Sequence, residues 1–277
     1  DPQLGGRPRF ARDPRVSEVH EKFAVRTDIQ NHVGTICFSC PPYNHVSVEL
    51  LRAMADQILA LDEVDDCRVV ILRSEGKVFC AGADFNEGGD FAADDDDAAV
   101  LGLYAQATRL YSNRKPVIAI VQGAAIGAGL GLALVADFRI ASEQSRFAAN
   151  FVKLGFHAGF GISTRLPEII GHQNAARMLL TGERVNGATA LDWGLVDMLA
   201  TAEDLETSAM HFALQIAENA PLAVEATRAT LRGDISSRVQ SATHYEAAVQ
   251  SRLKKTEDFA EGVQAVAQRR PGQFKRK

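Results

Sequence analysis

Two stretches of small residues constrain this chain more than any other feature. Phe79-Cys80-Ala81-Gly82-Ala83-Asp84 follows the β-branched run Val69 to Leu72, and Gly123-Ala124-Ala125-Ile126-Gly127-Ala128-Gly129 follows the run Pro116 to Val121. Each therefore reads as a turn after a buried strand, and the second opens a buried helix. A turn with little side-chain bulk lets backbone N–H groups face a cavity. A helix start adds free N–H groups and the positive end of a dipole. Two such donors from separate turns can hold one carbonyl oxygen as it gains negative charge. Either turn alone also fits plain close packing of helix on strand. The same context occurring twice is what makes the pair specific.

The rest of the pattern places these turns in an α/β chain. Phe23 to Asp28 and Val33 to Cys40 read as strands around the polar turn Ile29-Gln30-Asn31-His32. Val46 to Leu61 carries Val48, Leu51, Ala55, Ile58 and Leu59 on one helical face. Ser74 to Asp90 reads as a long loop, and Ala98 to Tyr111 as a helix. The aspartate run Asp94 to Asp97 lacks the glycine turn of a calcium loop and suits a helix N-terminus. Gly123 to Leu134 reads as turn and helix, and Asp137 to Ala141 and Arg146 to Ala149 as short strands. From Ile162 onward the pattern is almost wholly helical, with Asn219-Ala220-Pro221 separating two helices.

Composition removes several classes of function. The 277 residues are 46% hydrophobic, enough for one large core. A net charge of -5 gives no reason to expect nucleic acid as the main partner. No apolar run reaches the ~18 residues of a membrane span. Asp1 to Arg15 is polar and reads as a flexible tail in a cytoplasmic protein, without the apolar centre of a secretory signal. Cys37 and Cys40 form a C-x-x-C, but no second pair of metal ligands accompanies it. Reduced, half-buried thiols and no bound metal are the expectation.

Taken together, the motifs resemble those of the crotonase (enoyl-CoA hydratase/isomerase) superfamily. Phe79 to Asp84 is similar to its A-G-x-D turn, and Lys115 to Gly129 to the strand and glycine turn that follow. Ala136 to Ala141, Leu166-Pro167, Leu180-Thr181-Gly182, Trp193 to Asp197, Thr256 to Gly262 and Arg269-Arg270-Pro271 resemble later landmarks, so the likeness spans residues 22 to 275. It implies an α/β fold, a crotonase-type spiral of ββα units, with a helical C-terminal trimerisation region. The corresponding divisions are a tail (1–21), a spiral core (22–205) and a helical C-terminal region (206–277). It also implies an acyl-CoA thioester as ligand, no cofactor beyond the coenzyme A of the substrate, and a homotrimer or dimer of trimers. By position, the oxyanion-hole N–H groups are those of Ala83 and Ala128. Ala81, Gly82, Gly127, Phe151 and Phe160 are expected at the substrate, Tyr104 and Tyr111 along the acyl wall, and Lys77 and Lys275 at the phosphates.

The sequence departs from the family where hydration chemistry is expected. Hydratases of the family carry glutamates at the positions of Gly131 and Phe151, and some relatives carry an acid near Gly159. Hydration needs a base for water and an acid for carbon. Glycine and phenylalanine supply neither. His157, in the loop Phe156 to Gly161, and Asp84 are the remaining candidates for proton transfer; Glu87 also follows the first turn, and Asp137 reads as structural. The expected activity is enolate chemistry such as isomerisation, decarboxylation or C–C hydrolysis. The alternative is an inactive acyl-CoA-binding homologue.

Overall fold

The computed structural model describes residues 18–19, 22–84 and 97–277. Glu87 and Asp94 to Asp96, and all of the expected tail but Glu18 and Val19, lie outside those residues. Strands β1 (Glu18–Val19), β2 (Ala24–Gln30) and β3 (Val33–Ser39) are antiparallel. Asn31 and His32 turn the β2–β3 hairpin with φ of 51° and 66°. Two successive left-handed residues match the twist of the flanking strands, which fixes the register Gln30 to Val33.

From β3 the sheet continues in parallel through β4 (Val69–Ser74), β5 (Val117–Val121), β7 (Phe138–Ala141) and β10 (Met198–Leu199). β5 is buried at every position, as expected of a parallel strand covered on both faces. On one face lie α1 (Val48–Asp62), α2 (Ala98–Tyr111) and α3 (Ala128–Val135). On the other, α6 (Leu205–Ala217) packs Leu205, Ala209, Ala213 and Ala217 against Val33, Val69, Ile71, Ile118, Ile120 and Ile140. The expected start of α1 at Val46 moves to Val48 for two reasons. Ser47 caps the helix, its side chain accepting the Leu50 N–H at 3.1 Å. Val46 is instead bridged to Ala83.

A second, three-stranded sheet joins β6 (Ala124–Ile126), β8 (Arg146–Ala148) and β9 (Arg184–Asn186). It corrects the reading of Gly123 to Leu134 as turn and helix alone. Gly127, at φ 56° and ψ −121°, separates a short strand from the helix, so α3 begins at Ala128. The nearly all-helical reading after Ile162 is corrected in the same way. β9 and β10 interrupt the run of α4 (Ile162–Thr181, broken at Gly171), α5 (Gly187–Asp192), α6, α7 (Pro221–Arg232), α8 (Ile235–Leu253) and α9 (Glu257–Ala267). Strands of two or three residues are too short to show a period of two.

Charged side chains staple the helical layer to the sheet. Asp137 accepts the Val117 N–H and Arg228 Nε, both at 2.8 Å. Arg139 is buried, donating to the Leu195 carbonyl at 2.6 Å and the Ala136 carbonyl at 2.8 Å. The structural role expected of Asp137 follows from this position. Among the described residues no helix is long and apolar enough to cross a membrane.

Candidate active site

The two glycine turns meet. Cys80 bridges Ala125: its N–H donates to the Ala124 carbonyl and its carbonyl accepts the Ile126 N–H, both at 3.0 Å. The approach is too close for side chains. A Cβ on Gly129 would lie 2.1 Å from the Cys80 oxygen, and one on Gly82 would lie 2.6 Å from the Ile126 oxygen and 3.4 Å from Ala128 N. Gly82 also holds φ +89°. Glycine is required there by both backbone angle and contact.

This junction forms the floor of a cavity of about 340 Å³. Ala81, Gly82, Ala83 and Asp84 line it from the first turn, and Gly127 and Ala128 from the second. Ala128 is the first residue of α3, so its N–H has no acceptor in its own helix. Ala83 pairs with Val46 through the Gly82 carbonyl, which accepts the Val46 N–H at 3.0 Å. That pairing leaves the Ala83 N–H unused. The other walls are mostly apolar: Val100, Leu103, Phe151, Phe156 and Phe160, with Val263, Val266 and Ala267 of α9 closing one side. An apolar cleft with few polar groups is the usual form of a small-molecule site.

Packing leaves no room for a side chain at Gly131 or Gly159. A Cβ on Gly131 would lie 2.6 Å from the Phe160 ring, and one on Gly159 would lie 1.8 Å from the Tyr104 hydroxyl. Phe160 is fully buried and holds φ 63°, a left-handed conformation costly for a bulky residue. Tyr104 Oη donates to Gln250 Oε1 at 2.7 Å, and Gln250 Nε2 donates to the His157 carbonyl at 2.7 Å. Burial pushes the Tyr104 phenol far above its ordinary range, so it stays protonated. From α8, the buried Glu246 carboxyl accepts from Gly161 N at 2.8 Å and Ser163 Oγ at 2.5 Å, fixing the start of α4. Burial raises that carboxyl, and the Ser163 and Gly161 donors oppose the rise.

Four of the expected residues stand outside the cavity lining. The His157 ring does not line the cavity. Its Nδ1 lies 2.7 Å from the Ala158 carbonyl, and its ring meets Tyr245 edge to face. Only the His157 backbone serves the wall, through Gln250. Lys77 and Lys275 are exposed and do not line the cavity either. Lys275 N instead donates to Asp258 at 2.6 Å. Tyr111 turns from the cavity towards Arg232. Cys37 and Cys40 are unbridged, and no group of three His, Cys, Asp or Glu among the described residues could hold a metal. Cys80 sits in the first turn, where burial pushes its thiol up to about 12, so it is inert.

His45 was missed. It lines the cavity beside Asp84 and Gly82, and its Nδ1 lies 3.1 Å from the Gly82 carbonyl. A carbonyl only accepts, so Nδ1 carries the hydrogen, which leaves Nε2 as the ring's one possible acceptor. Asn150 and Gln250 were missed as well. Asn44, beside His45, anchors the loop by donating to the Glu75 and Val78 carbonyls at 2.8 Å.

The α9 wall rests on a bond with a defined pH response. Glu261 takes Arg270 in a two-pronged pair at 2.5 and 3.0 Å. Arg270 and then the Gln273 N–H hold the Glu261 carboxyl down to about 2, against an ordinary 4.5. A lowered carboxyl contributes its full stabilisation above the unfolded value and loses it as pH falls through the folded one. The protection of α9 amides against hydrogen exchange, corrected for the intrinsic rate, is therefore expected to fall between pH 4.5 and about 2 by more than that of α1 amides. Arg270→Gln is expected to abolish that difference.

Comparison with known proteins agrees with this architecture. A profile described as enoyl-CoA hydratase/isomerase matches residues 28–277. The chain is 30% identical to a probable enoyl-CoA hydratase of Bacillus subtilis over 91% of this chain and 98% of that one. It is 30% identical to a peroxisomal Delta(3,5)-Delta(2,4)-dienoyl-CoA isomerase of Arabidopsis thaliana, over 90% of this chain and 95% of the other. It is 35% identical to a carnitinyl-CoA dehydratase of Salmonella arizonae, over 85% and 92%. The solved enoyl-CoA hydratase/isomerase of Pseudoalteromonas atlantica superposes with a TM-score of 0.79 at 27% identity, covering 91% of this chain and 99% of that one. With these matches across nearly its whole described length, the chain belongs to the enoyl-CoA hydratase/isomerase family of the crotonase superfamily.

Proposed function

We propose that this chain is an enzyme that binds an acyl-CoA thioester, polarises its carbonyl between the Ala83 and Ala128 N–H groups, and isomerises a double bond through the resulting enolate. The observation that carries the reading is the placement of proton-handling groups. His45 and Asp84 line the cavity on the side of the first turn, while Phe151, Phe156 and Phe160 face it as apolar wall. Isomerisation removes a proton from one carbon and returns it to another, which groups on one side can perform. Hydration needs a second, separately placed group to activate water. In this reading His45 Nε2 takes the proton, Asp84 assists, and the two N–H groups hold the enolate oxygen. Dienoyl-CoA isomerisation by a 30% identical relative supports the reaction class.

The homotrimer belongs to the same proposal. Leu222 and Leu231 of α7 are 80% and 83% exposed, each an apolar side chain that a contact between copies would cover.

The reading is tested by incubating the protein with 3-enoyl-CoA, dienoyl-CoA and 2-enoyl-CoA thioesters in deuterated water. The expected result is double-bond movement with deuterium incorporation, reduced about 10²-fold or more in His45→Ala. Hydration of the 2-enoyl thioester without any isomerisation would overturn it. Binding of every thioester without exchange or turnover would establish the non-catalytic alternative.

A further inference from the structure

One polar side chain of the cavity is not engaged by the protein. His45 is tied to the Gly82 carbonyl, Tyr104 and Gln250 are tied to each other, and Asp84 is engaged as well. Asn150 also lines the cavity, half-buried, and its carboxamide has no hydrogen-bond partner among the described residues. It stands over the second turn. Parallel pairing sets Ile126 beside Ala148, and the Ala148 carbonyl accepts the Gly127 N–H at 2.9 Å. Just past that pair the chain enters a short 3₁₀ helix, Asn150–Leu154. Its backbone is packed so closely that a Cβ on Gly182 would lie 3.3 Å from Asn150 Cα.

The space that Asn150 faces is open to a ligand. Apart from its neighbours in the chain, a Cβ on Gly127 would meet only Asn150 Oδ1 and Phe151 Cζ, each at 3.8 Å. That face of Gly127 is therefore rimmed by one carboxamide and one apolar ring. Gly127 precedes Ala128, whose N–H is the donor supplied by this turn. With an acyl-CoA in the cavity, the ligand atom held there is the thioester oxygen. No hydrogen bond fixes which way the carboxamide lies, and a half-turn brings Nδ2 to where Oδ1 stands.

We propose that Asn150 is a further catalytic residue, whose Nδ2 donates a third hydrogen bond to the thioester oxygen as that oxygen becomes an enolate; the assignment rests on the acyl-CoA reading of the cavity. A neutral carbonyl oxygen has two lone pairs, which the Ala83 and Ala128 N–H groups fill. The enolate oxygen is negative and has a third, so the Asn150 bond forms together with the charge. Such a bond is stronger in the transition state than in the ground state. Phe151 keeps the surroundings apolar, which strengthens a hydrogen bond to a charged oxygen. A donor of this kind acts on turnover and leaves the binding of an uncharged thioester unaltered.

The test compares two ligands by calorimetric titration. One is a saturated acyl-CoA, whose thioester oxygen is neutral. The other is a 3-oxoacyl-CoA as its enolate, whose charge spreads onto that oxygen. Asn150→Leu removes the donor at similar size and breaks no hydrogen bond within the protein. It is expected to bind the saturated thioester as the wild type does and the enolate about 10–10²-fold more weakly. Asn150→Ala, which cannot crowd Phe151, should match it. Asn150→Asp, an acceptor only, should weaken the enolate further still. Equal weakening of both ligands would mark a packing role and overturn the assignment, as would an Asp variant that holds the enolate better than the Leu variant. Wild-type binding of both ligands with Asn150→Leu indifferent would also overturn it, while leaving the acyl-CoA reading standing. A wild type that binds neither ligand would defeat that reading and the assignment with it.

Discussion

Ala128→Pro is expected to lower turnover about 10²–10³-fold while the protein still folds. A backbone donor cannot be deleted by changing a side chain, but proline removes the N–H itself. The position suits the change, because Ala128 is the first residue of α3 and Gly127 is its cap. Proline is favoured at a first helical position, where the missing N–H breaks no helical bond. The loss should fall on kcat more than on KM, since the donor acts most strongly on charge that develops in the transition state. Steady-state kinetics beside a thermal melt check both halves. A folded variant with unchanged kcat would remove Ala128 N–H from the reaction.

The second large effect concerns Phe160. Its buried ring fills the space over Gly131, so Phe160→Ala is expected to cost about 3–5 kcal/mol. The ordering of two variants is more diagnostic than either value. Phe160 holds φ 63°, so Phe160→Gly should be more stable than Phe160→Ala by about 1 kcal/mol. In a helix or strand the order would be the reverse. Gly131→Ala should cost about 1–3 kcal/mol in the wild type and close to nothing in the Phe160→Gly background. Urea denaturation of the four proteins measures the coupling. Additive costs would show that Phe160 is not what keeps position 131 small.

This pair also shows how far the sequence could be read. The two turns were legible because small residues, strand context and spacing all coincide locally. The hairpin at Asn31-His32 and helix α2 were legible for the same reason. The identities Gly131 and Phe151 are plain in the sequence, but Phe160 as occupant of the space above Gly131 depends on a left-handed angle and a contact between distant elements. His157 looked like a site residue from its loop, yet its ring turns to Tyr245 while its carbonyl takes Gln250. His45 carried no signal because only the β3–α1 loop geometry brings it to Gly82. Gln250, Val263 and Val266 reach the cavity from the far end of the chain, and helical periodicity says which face is apolar but not what it covers.

The central claim is that Ala83 and Ala128 polarise a thioester carbonyl, and the carbonyl itself can report on it. Isotope-edited infrared spectra of a bound acyl-CoA, labelled at the carbonyl carbon, should show the stretching band shifted to lower frequency relative to free thioester. The band should move back towards the free value in Ala128→Pro. A tightly bound thioester whose carbonyl band stays at its solution frequency in the wild type would contradict the account.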